Sequence, residues 1–96
     1  MHSMDSTLPG EDLIRQGIAD LAADRRTVAG LLVAIGAPRL RRGGIRVPDV
    51  RVPSPEHALY DLLAGDDPDS AHSRYNALIR RLVRFERACD ARTSAR

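Results

Sequence analysis

Hydrophobic residues recur at helical spacing in the second half of the chain. They fall three or four positions apart, with no Gly or Pro between them, at Ala71, Tyr75, Leu78, Leu82, Phe85 and Cys89, with Ile79 and Val83 beside them. This spacing places them on one face of a helix. Asp67 and Pro68 suit a helix start, because Asp accepts hydrogen bonds from free amides and Pro has no N–H to leave unpaired. The pattern predicts a long C-terminal helix that begins at Pro68 and reaches Arg92.

The first third of the chain carries a second apolar pattern. Glu11 favours the start of a helix, and Thr27 can cap a second helix over the most hydrophobic stretch of the chain. Gly17 lies beside the apolar face, where it lowers helix propensity but permits another helix to approach closely. One unbroken helix over 11–35 is an alternative, since no residue between 23 and 27 forbids it.

Gly36 fits the C-terminal cap of this segment in either case. We expect a short basic turn to follow over 37–42, so that residues 27–42 distantly imitate a helix-turn-helix. Residues 45–53 alternate between apolar and polar side chains, but two prolines each remove a donor that a central strand would need. We therefore expect an extended, Pro-containing connector over 45–53.

A third helix is expected after the connector. Ser54 and Pro55 suit its first turn, and Gly65 suits its end. Its core candidates are Leu59, Leu62 and Leu63. The predicted architecture is therefore all-α, with an N-terminal helical segment and a C-terminal helical hairpin joined by the extended connector.

The composition agrees with an all-α fold. The chain of 96 residues suits a single small domain, and with no Trp, one Phe and two Tyr its core must consist of Leu, Val, Ile and Ala, which favours packed helices. A domain of this size leaves apolar surface that a partner or a second copy could cover. Residues 1–8 and 93–96 lack strong apolar anchors, and we expect them to be disordered.

A single cysteine excludes an intramolecular disulfide. The chain also shows no hydrophobic signal region at its N-terminus, and no apolar run of about 18 residues, the length that crosses a bilayer. We expect a cytoplasmic protein that does not insert into a membrane.

The titratable residues form no catalytic or metal-binding pattern. The three histidines are His2, His57 and His72. His57 and His72 could meet across the turn at Gly65, but two ligands without a Cys or carboxylate at the right spacing make a poor metal site. His72 and Cys89 would lie about 25 Å apart on the predicted long helix, so they cannot share a metal ion. Cys89 falls on the apolar face, where a small buried hydrophobic side chain is more common than a reactive thiol. We expect no metal, no cofactor and no enzymatic activity.

All basic residues are arginines, and they cluster along the chain. Residues 39–51 and 74–96 are rich in arginine, whereas residues 56–72 contain acids and no arginine. On the long helix, arginines at spacings of four and three share one face, and few acids lie one turn away to neutralise them. The candidate binding residues are Arg74, Arg80, Arg81, Arg84, Arg87, Arg39, Arg41 and Arg42. A solvated face, a nucleic-acid backbone and an acidic protein cleft each fit this pattern.

Two stretches of the chain resemble a known kind of protein. The run SAHSRYNALIRRLVRFERA over 70–88 and the run LLVAIGAPRL over 31–40 look like small helical proteins encoded beside nucleotidyltransferase-like toxins. Such proteins act as antitoxins. The resemblance implies that this chain binds and neutralises a toxin enzyme similar to those that add nucleotides to RNA from an acidic, metal-binding cleft. Arginines on a helix would complement such a cleft in charge.

The sequence therefore predicts an antitoxin that binds its partner through an arginine-rich helix face and the extended connector. The alternative is a small nucleic-acid-binding regulator. The two functions differ in salt dependence, because phosphate binding weakens steeply with salt, whereas a protein complex with an apolar centre persists.

Overall fold

The structure, a computed structural model, describes residues 8–94, with side chains up to Arg92. Within this range the regular secondary structure consists of helices. These helices are α1 (Glu11–Ala22), α2 (Val28–Arg42), α3 (Pro55–Asp66) and α4 (Ala71–Ser94). Residues 43–54 join α2 to α3 without regular secondary structure, and no strand occurs in the described range. The predicted all-α fold, with its extended connector and long C-terminal helix, is confirmed.

Helix α2 lies at the centre of the fold and packs against each of the other three helices. Leu31, Leu32 and Val33 are all buried, although they are consecutive residues. Consecutive residues cannot share one face, since each residue turns an α-helix by about 100°. Helix α2 is therefore covered on several sides, as expected of a core helix.

One buried carboxylate holds the turn between α1 and α2. Asp20 is 5% exposed, and it accepts hydrogen bonds from the Thr27 hydroxyl at 2.5 Å and the Gln16 side chain at 2.9 Å. These two bonds, with a third from Arg25, hold the pKa of Asp20 below its ordinary value, so the carboxylate stays ionised at neutral pH. Thr27 also caps α2 as predicted, since its Oγ1 accepts a bond from a first-turn amide at 3.0 Å. The alternative of one unbroken helix over 11–35 is thus wrong.

Helix α2 continues well past Gly36, which we expected to end it. Gly36 is buried at the crossing with α4, where an added Cβ would lie 2.8 Å from a methyl carbon of Leu82. Its lack of a side chain therefore serves close packing and not a helix cap. Residues 37–42, predicted as a separate basic turn, are the last part of the same helix. The helix-turn-helix interpretation of residues 27–42 is wrong for the same reason.

Helix α4 begins at Ala71 and not at Pro68 as predicted. Asp67 does accept hydrogen bonds, from a backbone amide at 3.2 Å and from the Ser70 hydroxyl at 2.8 Å. These bonds stabilise the turn between α3 and α4, so the predicted capping residue acts one turn before the helix. Asp67 also follows directly on α3, which leaves residues 68–70 as the turn itself.

Of the two termini that we expected to be disordered, the structure describes Leu8 and residues 93–94. Leu8 packs against the core, and its amide donates to Glu11 Oε1 at 2.9 Å. Helix α4 extends to Ser94, beyond residue 93. The rest of the two predicted segments, residues 1–7 and 95–96, lies outside the described residues.

Most of the predicted core residues are buried, namely Ala71, Leu82, Phe85, Cys89, Leu59 and Leu63. Tyr75 and Leu78 are partly buried and pack against this cluster. The prediction for Leu62 is wrong, since this residue is 41% exposed. The predicted end of α3 at Gly65 is also displaced, because that residue lies within the last turn of the helix. Leu59 and Leu63, which lie four residues apart, therefore define the buried face of α3.

Leu82→Ala should lower the free energy of unfolding by about 2 to 4 kcal/mol, because it leaves a cavity where the native side chain is 1% exposed. Leu62→Ala makes the same chemical change at a residue that is 41% exposed, and should cost less than about 1 kcal/mol when measured on the monomeric chain at low protein concentration. Urea denaturation followed by circular dichroism measures both. Equal losses in the two variants would require a different packing of α3 or α4.

Gly17→Ala should destabilise the fold by about 1 to 3 kcal/mol. An added Cβ at Gly17 would lie 2.3 Å from the Ala29 carbonyl oxygen of α2. Gly65 is the matched control, since it also lies in a helix but has no neighbour within 4 Å of an added Cβ. Gly65→Ala should stabilise by about 0.5 to 1 kcal/mol, because alanine suits a helix better than glycine. Chemical denaturation measures the free energy of unfolding of both variants. A Gly17→Ala chain as stable as wild type would show that α1 and α2 do not approach closely at Gly17.

Candidate functional site

Three arginines of α4 share an outward face with two aliphatic side chains. Arg80, Arg84 and Arg87 line a surface groove of about 320 Å³. Ile79 and Val83 line the same groove. The spacing explains the grouping, because residues three and four apart lie on the same side of a helix. We call these five residues the arginine face.

The positive charge of the arginine face is not neutralised by the chain itself. Within the described residues, Arg80, Arg84 and Arg87 form no hydrogen bond and no ion pair, and all three are exposed. Glu86 lies among them in sequence, but it is buried and pairs with a residue of α2. The three guanidinium groups are therefore free to bind an anionic partner.

An apolar strip accompanies these arginines. Ile79 and Val83 are partly buried. Ile79 packs against the core cluster, whereas Val83 lies outside that cluster. A face with aliphatic side chains beside charged ones matches the usual composition of a protein interface, in which a polar rim surrounds an apolar centre.

The other candidate arginines lie outside this groove, and several have partners within the chain. Arg74 pairs with Asp66 at 2.8 Å and so ties α4 to the end of α3. Arg41 donates to two carbonyl oxygens of the connector, at 3.2 and 3.1 Å, and so holds the connector against α2. Arg42 and Arg81 are exposed, with no hydrogen bond or ion pair among the described residues. The structure thus brings only three of the eight candidate arginines into one groove.

The remaining candidate, Arg39, forms a long-range ion pair that the sequence did not reveal. Its Nε donates to Glu86 Oε1 at 2.9 Å. Glu86 is 8% exposed, and its second oxygen, Oε2, is buried without a hydrogen-bond partner. A signal for this burial was present, since Glu86 lies four residues after Leu82 and so occupies the apolar face of the helix. Arg39 therefore has a structural role, because its bond to Glu86 joins α2 to α4 and fixes how α4 is rotated against α2.

Among the described residues, no group of three His, Cys, Asp or Glu could hold a metal ion. His57 lies 3.4 Å from Asp61, with both side chains exposed, and His72 lies 3.2 Å from Asn76. Cys89 is 5% exposed, and burial raises the pKa of its thiol. The thiol is therefore protonated at neutral pH, which suits a core residue and not a nucleophile.

Comparison with family models, with curated proteins and with solved structures finds no match to this chain. In the range that the structure describes, no helix is long and apolar enough to span a bilayer. Because no relative indicates a function, the main guide to function is the surface chemistry of the arginine face.

Arg39→Ala should destabilise the fold by about 1 to 3 kcal/mol, because it leaves the buried Glu86 carboxylate without its donor. Arg42→Ala is the matched control in the last turn of the same helix, and should change stability by less than about 0.5 kcal/mol. Thermal and urea unfolding measure the two effects. A loss of stability equal in both variants would mean that the ion pair has no special role.

Proposed function

We propose that this chain is a non-enzymatic binding protein whose arginine face docks on an acidic surface of a protein partner. The observation that carries this proposal is a groove with three guanidinium groups that form no ion pair within the described chain. Complementary charge speeds the encounter and disfavours wrong partners. The strip formed by Ile79 and Val83 adds apolar area that is removed from water on binding.

A protein partner suits this face better than a nucleic acid does. Sequence readers of nucleic acids commonly add amide side chains for base edges, or aromatic rings that stack on bases. The arginine face has neither, since its lining consists of arginine, isoleucine and valine. The two tyrosines contact each other instead, with ring centroids 5.7 Å apart. Helix α2 also lacks the turn that a helix-turn-helix would need.

The proposed partner is a toxin enzyme of the nucleotidyltransferase type, which the chain neutralises as an antitoxin. The support comes from the resemblance of residues 31–40 and 70–88 to such antitoxins, and from the charge of the arginine face. An enzyme that holds metal ions for nucleotide transfer does so with carboxylates. Its cleft therefore presents the anionic groups that guanidinium binds best, with paired and directional hydrogen bonds.

The double reversal Arg80→Glu with Arg84→Glu should abolish partner binding and leave the helical circular dichroism unchanged, because both side chains are exposed. Like charges placed together in an interface cost several kcal/mol, so the dissociation constant should rise by about 100-fold or more. Co-purification with a co-expressed toxin of the nucleotidyltransferase type, and rescue of growth from that toxin, are the measurements.

The matched control is Arg46→Glu with Arg51→Glu, which changes the net charge equally but within the connector. It should weaken binding much less. If the Arg80 and Arg84 reversals still co-purify and still restore growth, the arginine face is only a solvated surface. If the connector reversals alone abolish binding, the docking site lies in the connector.

A salt titration separates the two classes of partner. Three arginine contacts to a DNA backbone would give a slope of about −2.7 in log affinity against log salt, because counterions are released. Binding to the toxin should fall less steeply, since a folded protein surface carries no condensed counterion layer to release and salt only screens its charge pairs. Tight RNA or DNA binding with the steep slope, and no complex with the toxin, would establish the nucleic-acid alternative instead.

A further inference from the structure

A second surface groove lies between the start of α2, the end of the connector and α3. Its volume is about 510 Å³, and its apolar walls include Leu31, Val52, Ala58 and Leu62. Two side chains of opposite charge, Arg26 and Asp61, also line it. We call it the α3 groove. It shares no lining residue with the arginine face.

Leu62 is the feature that marks the α3 groove as an interaction surface. The adjacent Leu63 and the nearby Leu59 are fully buried, whereas Leu62 is 41% exposed at the edge of the groove. Single exposed leucines are common and need no explanation. An exposed leucine that adjoins a mostly apolar groove is different, because the two together form a contiguous apolar patch that a partner would cover.

The charges of the α3 groove indicate what covers it. Its lining carries one cation, Arg26, and one anion, Asp61, so the groove complements neither a strongly acidic nor a strongly basic partner. Each of the two also has a neighbour on its own chain, since Arg26 pairs with Asp24 at 2.6 Å and Asp61 lies 3.4 Å from His57. In a dimer with two-fold symmetry, a contact between one residue of the first copy and another of the second is repeated with the copies exchanged. A surface with one cation and one anion can therefore pair each charge with the opposite charge of the second copy. A second copy of the chain therefore fits both charges.

We infer that the α3 groove is a self-association surface, in which each copy places Leu62 in the groove of the other. Arg26 and Asp61 line the same groove as Leu62, and in the inferred dimer Asp61 of one copy pairs with Arg26 of the other. Small residues flank Leu62 on the same side of the helix, namely Ala58 and Gly65, and the space around Gly65 is open. Two α3 helices can therefore cross closely at Leu62.

Sedimentation velocity of the full chain over a series of concentrations tests this inference. The wild-type chain should form a concentration-dependent dimer. Leu62→Glu should raise the dimer dissociation constant roughly tenfold or more, because it places a charge in an apolar groove. The matched control Ala19→Glu adds the same charge at an exposed position of α1 outside the groove, and should dimerise like wild type. Circular dichroism verifies that each variant is folded.

A charge exchange gives the sharper test. Arg26→Glu alone brings two acids together across the axis, and Asp61→Arg alone brings two cations together, so each variant should lose the dimer. In an equimolar mixture of the two variants, every contact again joins opposite charges. The dimer should then return to near the wild-type level, which a purely structural role of either residue would not produce.

A wild-type chain that remains monomeric up to about 1 mM would overturn the inference, because a dimer with a higher dissociation constant is too weak to count as specific association. So would a mixture of the two charge variants that stays monomeric. Dimers that survive Leu62→Glu unchanged would place the interface elsewhere.

Discussion

Two glycines allow α2 to approach the helices that cover it, and the rest of the structure depends on these close approaches. An added Cβ at Gly17 would lie 2.3 Å from a carbonyl oxygen of α2, and one at Gly36 would lie 2.7 Å from Glu86 Oε2. Without side chains at these points, α1 and α4 can both pack directly on α2. The chain has no tryptophan and only one phenylalanine to fill wider gaps. Short interhelical distances therefore give the small aliphatic core its packing density.

The approach at Gly36 also determines where the arginine face points. Leu82 and Glu86 of α4 contact this position, and the Arg39 ion pair adds a directional bond. Once this side of α4 faces inward, the helical spacing turns Arg80, Arg84 and Arg87 outward. Their grouping could be predicted because it is local to one helix. The Arg39 pair could not, since its partners are 47 residues apart in the chain. Arg39 therefore looked like a surface residue in the sequence.

The helical elements could be predicted because apolar spacing reports directly on which side chains need burial. The boundaries and some core positions could not, since the same residue type serves two purposes. A glycine such as Gly36 suits a helix cap or a helix crossing, and only the position of α4 decides between them. Leu59, Leu62 and Leu63 are equally apolar, but a face with spacing of four buries the first and last and leaves Leu62 exposed. Asp67 suits a helix cap or a turn in the same way.

The two proposed surfaces differ in charge, and this separates their occupants. The arginine face carries three cations and no acid among its lining residues, so two copies of it repel each other and it suits a partner of opposite charge. The α3 groove carries one charge of each sign, which suits a second copy. The two surfaces share no lining residue, so neither proposal requires a side chain that the other uses. Under both proposals, a dimer formed through the α3 groove would carry two arginine faces and would bind two partner molecules. The proposed groove would then determine the stoichiometry of the complex, and the arginine face the chemistry of the partner.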